Sequence, residues 1–279
     1  SLSDGGFADL HHPEYWELGF VKEFPKAAQY QERVRTLSES LSFFETLAGK
    51  VVGKIRRMDF YTSHEGLHLE YEQAQTRFIE RVGKWFNLTT HFPWIGNRTR
   101  QIDGAHVEYF RGLSNPIGIK IGSSLEPDEL VALLEALNPQ NEPGRITLIH
   151  RFGDTEIEKY LPNLIRSVQQ AGQIVLWACD PMHGNTELAA SGYKTRNFKR
   201  ILSEVDQSFD IHEGLGSRLG GLHVELTGEN VTECVGGARG LTEDDLGIDY
   251  RTQVDPRLNY EQALEIALLV AGRLEKSRG

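Results

Sequence analysis

Cysteine is scarce: the 279 residues include only two, Cys179 and Cys234. Two thiols cannot build a disulfide framework, and such a chain suits a reducing compartment. Both are expected to be small buried hydrophobes rather than nucleophiles. Long apolar runs are missing too, and none approaches the roughly 18 residues of a membrane span. No signal peptide is visible, and the chain starts at Ser1 rather than Met. The expected location is therefore cytoplasmic, or a plastid if a transit peptide precedes Ser1. Positive charge is in deficit, with 30 Lys+Arg against 40 Asp+Glu and a net charge of −10. That excludes a general nucleic-acid binder, which needs a basic surface, but it leaves room for a local cationic pocket. No GxGxxG loop follows the first strand, so a dinucleotide fold has little support. No sequence repeat is present.

What the chain does have is core-forming residues, 39% hydrophobic overall, enough to exclude disorder. Its start reads as helical: Tyr15 to Lys22, then, after Pro25, a run from Ala27 to Ala48 with Val34, Leu37, Leu41, Phe44 and Leu47 at helical spacing. From there short apolar runs alternate with amphipathic helices. The predicted strands are Met58–Tyr61, Leu88–Trp94, Ile117–Ile121, Ile146–His150, Ile174–Cys179 and Leu222–Leu226. The predicted helices between and after them are Tyr71–Phe86, Pro127–Leu137, Glu156–Gln170, Phe198–Phe209 and Tyr260–Leu274. Apolar strands alternating with helices imply a parallel sheet covered by helices. The expected fold is an α/β, (β/α)8 TIM-type barrel. Eight strands are required and six are counted, so the first two are expected to be missing from this chain. The whole of 1–279 is read as one such domain, with a helical lead-in over 1–50 and strands three to eight over 51–279.

Chemistry-bearing residues follow the strands. Lys120 lies near the end of Ile117–Ile121, and Arg151 follows Ile146–His150. Asp180, Met182 and His183 follow Ile174–Cys179, Glu225 lies on Leu222–Leu226, and Asp255 precedes the last helix. Strand ends of a (β/α) barrel converge on one mouth, so Lys120, Arg151, His183, Glu225 and Asp255 are expected to meet. His183, Glu225 and Asp255 form a one-nitrogen, two-carboxylate set suited to Mn, Fe, Co or Zn. Arg98, Lys120 and Arg151 suit phosphate and carboxylate. Together they point to a phosphorylated substrate activated by a metal. Plainer readings compete: a strand-end Lys or Arg is as often a solvated rim charge, and a lone histidine such as His64, His106 or His223 is more often structural. His223 shares a strand face with Glu225 and is left outside the metal set.

Longer runs carry a resemblance. Trp94-Ile-Gly-Asn-Arg-Thr-Arg-Gln101, Asp103-Gly-Ala-His-Val-Glu108, Asn115-Pro-Ile-Gly-Ile-Lys120, Leu137-Asn-Pro-Gln-Asn141, Pro143-Gly-Arg-Ile-Thr147, Asp180-Pro-Met-His-Gly-Asn-Thr186, His223-Val-Glu-Leu-Thr-Gly228, Asn230-Val-Thr-Glu-Cys234 and Asp255-Pro-Arg-Leu-Asn259 resemble class II (plant-type) 3-deoxy-D-arabino-heptulosonate 7-phosphate (DAHP) synthases. The resemblance runs in the family's order over nearly the whole chain, from about the third barrel strand onward. It implies a transferase of the shikimate pathway to chorismate and the aromatic amino acids, which condenses phosphoenolpyruvate with erythrose 4-phosphate and releases phosphate. It implies His183, Glu225 and Asp255 as metal ligands, Mn²⁺ first, with Co²⁺, Fe²⁺ or Zn²⁺ as alternatives. Asn97, Arg98, Lys120 and Arg151 become phosphoenolpyruvate contacts, and Lys120 and Glu65, the latter in the run Thr62-Ser-His-Glu65, become catalytic. A homo-oligomer is expected, with no nucleic-acid or membrane partner.

Several departures bear on that reading. The family's cysteine metal ligand and its Lys-Pro-Arg-Ser segment have no counterpart here, as two absent barrel strands would explain. Asn97 stands where the family has Glu, which removes a carboxylate beside a substrate anion. Gln253-Val254-Asp255 lacks the cysteine often found before the metal-binding Asp. The alternative is a repurposed relative, either a non-catalytic regulatory partner or a synthase using another aldehyde such as an amino sugar phosphate. Retention of all six charged side chains argues for catalysis. Six parallel strands would also leave two open edges, an aggregation hazard, so more chain or a partner is expected to complete the barrel.

Overall fold

The computed structural model describes residues 27–48 and 60–276. The elements run α1 (Ala27–Ala48), β1 (Ser63–Glu65), α2 (Leu69–Ala74), β2 (Thr76–Ile79), β3 (Lys84–Asn87), β4 (Phe92–Ile95), α3 (Ala105–Arg111), β5 (Ile117–Ile121), α4 (Pro127–Leu137), β6 (Ile146–His150), α5 (Ile157–Gln170), β7 (Leu176–Cys179), β8 (Thr186–Leu188), β9 (Lys194–Arg196), α6 (Phe198–Gly214), β10 (Leu219–Leu222) and α7 (Tyr260–Lys276). Six strands form one sheet in the order β1-β4-β5-β6-β7-β10, and every pairing in it is parallel. Two small antiparallel hairpins, β2–β3 and β8–β9, stand apart from it.

Two compact units divide the chain. The larger holds 62–236 and 241–260, and includes the whole sheet. Its core lies between the sheet and α3 to α6. On β5 all five residues are buried, as expected of a central parallel strand covered on both faces. Ile117, Ile119 and Ile121 join the helix-side core, while Gly118 and Lys120 alternate onto the other face. Leu130, Leu133, Leu134 and Leu137 of α4 are buried, one stripe at helical spacing. Pro127 opens that helix, where a missing N–H does no harm. The smaller unit contains α1 and most of α7. In it the Arg33 guanidinium meets Glu275 at 2.5 Å and Arg239 meets Glu261 at 2.6 Å.

Four sequence expectations shift. The helix expected over Tyr71–Phe86 is a short helix, α2, followed by the β2–β3 hairpin. Gly83 has φ +65°, a left-handed turn conformation that interrupts helix, and the rings of Phe78 and Trp85 pair across the two strands at 5.5 Å. The first strand is Ser63–Glu65 rather than Met58–Tyr61. Residues 58 and 59 lie outside the described residues, as does Tyr15–Lys22. The polar sequence of Ser63–Glu65 leaves hydrophobicity nothing to register. The second strand is Phe92–Ile95 rather than Leu88–Trp94, because Asn87 and Thr89 are held in a polar side-chain network with Glu72. The last strand is Leu219–Leu222, with a register shift between Leu219 and Gly221. Residues 223–226 then leave the sheet for a bridge between Leu226 and Leu258.

Candidate active site

Beyond the C-terminal ends of the parallel strands lies a cavity of about 810 Å³. Every site residue expected from the sequence lines it: Glu65, Asn97, Arg98, Lys120, Arg151, His183, Glu225 and Asp255. Strand ends deliver Glu65, Lys120 and Arg151, and a 3-10 turn after β7 delivers His183. Glu225 and Asp255 arrive differently. The Leu226–Leu258 bridge, with Leu258 N–H donating to Glu225 O at 2.9 Å, ties their two segments together.

His183 Nε2 stands 3.2 Å from Glu225 Oε1 and 4.0 Å from Asp255 Oδ2. On the far side of the ring Nδ1 meets Asp180 Oδ2 at 2.7 Å. This is the carboxylate–histidine arrangement that fixes a metal-binding imidazole with its other nitrogen presented to the ion. The donor set therefore fits a divalent cation: one imidazole nitrogen and two carboxylate oxygens, mutually within 4.8 Å. Asp180 also accepts from the backbone N–H of Met182 and His183 and pairs with Lys120. Burial opposes its charge, but the His183 and Lys120 contacts prevail and hold its carboxyl well below the usual range. Burial likewise opposes a charged His183, yet hydrogen bonds to Asp180 and Glu225 raise it to about 9. Burial would raise Glu225, but His183 and Arg196 lower it to about 2.

The cationic side is built around Lys120, Arg98 and Arg151. Burial lowers the Lys120 pKa while Asp180 supports its charge, and its Nζ lies 5.9 Å from the Trp94 ring centroid. Arg151 Nη2 donates to His183 O at 3.1 Å, joining the cationic group directly to the His183 segment. Asn97 Oδ1 accepts from Arg100 Nε at 3.4 Å. A Cβ at Gly96 would collide with Glu65 Oε1, so glycine is what lets that carboxylate settle over the loop.

Three contributors went unassigned at the sequence level. Asp180 had a signal, its i,i+3 spacing to His183. Lys194 and Arg196 had none, because β8–β9 contains too little apolar alternation to be seen. Arg196 Nη1 donates to Glu225 Oε2 at 2.6 Å, and Lys194 Nζ donates to Asp255 Oδ1 at 2.8 Å. His223 lines the cavity with its ring edge-on to Trp94 at 4.8 Å, and burial followed by the Lys120 charge lowers it to about 4. Among the described residues a second group, His150, Cys179 and Glu204, has metal-ligand chemistry, but all three are buried. Both cysteines are buried. Burial raises Cys179 well above the thiol range and Cys234 to about 12, so neither is a thiolate nucleophile.

The model of the Class-II DAHP synthetase family matches residues 1–271. The chain belongs to that family. It is 46% identical to a phospho-2-dehydro-3-deoxyheptonate aldolase of Neurospora crassa over 98% of this chain. Proteins of that name from Streptomyces coelicolor and Mycolicibacterium smegmatis are 45% and 43% identical over 97% and 98% of it. The chain spans about 60% of the length of these class-II DAHP synthetase relatives. A solved structure of phospho-2-dehydro-3-deoxyheptonate aldolase from Francisella tularensis aligns at 17% identity and TM-score 0.42, covering 68% of this chain and 56% of that one. Among the described residues no helix is long and apolar enough to cross a membrane.

Proposed function

We propose that the protein is a DAHP synthase: it joins phosphoenolpyruvate to erythrose 4-phosphate and releases inorganic phosphate, opening the shikimate pathway to chorismate and the aromatic amino acids. The observation that carries this reading is that Arg98, Lys120 and Arg151 line one cavity with His183, Glu225 and Asp255. Anion binding and metal binding are thus available to a single pair of substrates. The six parallel strands are taken as part of a closed (β/α)8 barrel, whose strand ends gather the active site. The protein is placed in the cytoplasm as a homo-oligomer.

Arg151 and Arg98 offer planar forks to the carboxylate and phosphate of phosphoenolpyruvate, and Lys120 adds a point charge. Held this way, C3 of the enol faces the aldehyde carbon of erythrose 4-phosphate, which removes much of the entropic part of the barrier. Asp180 keeps the His183 ring oriented with Nε2 toward Glu225 and Asp255. His183, Glu225 and Asp255 would hold a divalent cation, Mn²⁺ in this reading, which would supply Lewis-acid polarisation of the aldehyde oxygen. After carbon–carbon bond formation, water adds at C2 and phosphate leaves the tetrahedral centre. Glu65, at the end of β1 over Gly96, is assigned the proton handling, because it is the carboxylate at the mouth outside the metal-binding set.

The test is product chemistry: incubation with both substrates, reading phosphate release and the seven-carbon sugar acid by mass spectrometry. Equal amounts of both are expected. Phosphate without the sugar acid, or neither product, contradicts the proposal.

A further inference from the structure

Helix α6 reaches none of the cavity-lining positions, yet one of its faces grips the two loops that supply Arg151 and His183. Arg200, Glu204 and Gln207 stand at i, i+4 and i+7, the spacing of one helix face. Arg200 Nε donates to Asp154 Oδ1 at 2.8 Å, and Gln207 Nε2 donates to Asp154 O at 3.0 Å. Arg200 Nη1 also reaches Glu187 Oε2 of β8 at 3.4 Å, but Glu204 joins the two loops through buried bonds. Its Oε1 accepts from the backbone N–H of Phe152 and of Gly153, each at 3.0 Å, and its Oε2 accepts from Asn185 Nδ2 at 2.7 Å. The carboxylate is fully buried, so nothing from solvent can replace these bonds.

Asn185 extends the tie. Its Oδ1 accepts from Asp154 N–H at 3.1 Å and its Nδ2 also donates to Pro181 O at 2.9 Å. The two loops touch so closely that a Cβ at Gly153 would fall 2.7 Å from Gly184 O, and Gly153 itself has φ +86°. Phe152 and Gly153 immediately follow Arg151, and Asn185 is two residues past His183. We propose that Glu204 is a positioning residue that locks the anion-binding and metal-binding arms of the site into one rigid piece. This inference rests on the synthase reading for what those two arms bind.

Hydrogen-bond polarity makes the idea testable without changing side-chain volume. Three N–H donors point at Glu204, and a glutamine there has one acceptor oxygen and one donor NH₂. If the oxygen serves Phe152 and Gly153, the NH₂ opposes the NH₂ of Asn185. Turning Asn185 over to relieve this sets its NH₂ against Asp154 N–H. Glu204→Gln therefore loses a bond in every arrangement. Loss of a group that orients metal ligands typically weakens affinity by roughly 10–100-fold.

The experiment uses the full-length protein. Mn²⁺ affinity is read by electron paramagnetic resonance of free Mn²⁺, phosphoenolpyruvate affinity by calorimetry, and folding by thermal melting. Glu204→Gln is expected to weaken both ligands by about tenfold. Asn185→Ala, which cuts the same tie from the other loop, is expected to weaken both as well. Ile165→Ala, in the core and remote from the site, should lower the melting temperature and leave both affinities unchanged. A Glu204→Gln protein that melts lower with both affinities at wild-type values, or with only one changed, overturns the proposal. So does failure of both tie variants to fold, since the carboxylate is then a structural requirement only. A wild-type protein that binds neither Mn²⁺ nor phosphoenolpyruvate refutes the synthase reading itself, and that result is separate from any variant.

Discussion

Arg196 has no exposed surface, and its guanidinium is answered by the site's own carboxylates, Glu225 Oε2 at 2.6 Å and Asp255 Oδ1 at 3.9 Å. Breaking such a pair leaves charge without compensation. Arg196→Met should cost about 3 kcal/mol in a urea titration. Arg151 is a second sharp case: its fork donates to His183 O, and in the proposed synthase it also holds a substrate anion. In the synthase reading Arg151→Lys keeps the charge but loses the fork. The phosphoenolpyruvate KM should then rise about tenfold, measured in steady-state kinetics at saturating erythrose 4-phosphate. An unchanged KM would remove Arg151 from the anion pocket. At this scale the sequence is readable where a charged residue lies within or shortly after an apolar strand, as Lys120, Arg151 and His183 do. Arg196 and Lys194 were not readable, because polar three-residue strands leave no periodic signal and their partners lie 29 and 61 positions away.

Helices and strands with a continuous apolar face were found where the sequence put them: β5, α4 and β6 coincide with their expected bounds. Elements whose positions depend on partners were displaced. Ser63–Glu65 is a strand because it pairs with β4, and nothing in its own composition requires that. Likewise 71–86 has enough apolar residues to suggest a helix until the left-handed Gly83 turns the chain back. Two substitutions separate these causes. Gly83→Ala meets open space, so its cost is backbone strain alone, about 1 kcal/mol. Leu134→Ala empties a fully buried position and should cost about 2–5 kcal/mol. Chemical denaturation of the two variants should reproduce that order, and equal costs would mean the hairpin is not an independent turn.

Two buried histidines, His150 and His212, are held as neutral groups. Burial lowers His150 to about 3 and His212 to about 4, and neither His150 ring nitrogen has a hydrogen-bond partner among the described residues. A histidine with a depressed folded pKa takes up its proton first in the unfolded chain. Stability from these two groups is therefore complete above about pH 6.5 and declines as pH falls toward 4. Thermal melting across that window should fall on the acid side, and His150→Leu should flatten the slope. A wild-type profile already flat from pH 6.5 to 4 would contradict neutral burial. At the site, Arg98, Lys120 and Arg151 line one cavity with His183, Glu225 and Asp255. The most direct test of the synthase reading follows phosphoenolpyruvate consumption with erythrose 4-phosphate, in full-length protein stripped with chelator and then given Mn²⁺. Turnover is expected to stop on chelation and return with the ion. Turnover that is indifferent to chelation, or consumption that needs no erythrose 4-phosphate, would contradict that reading.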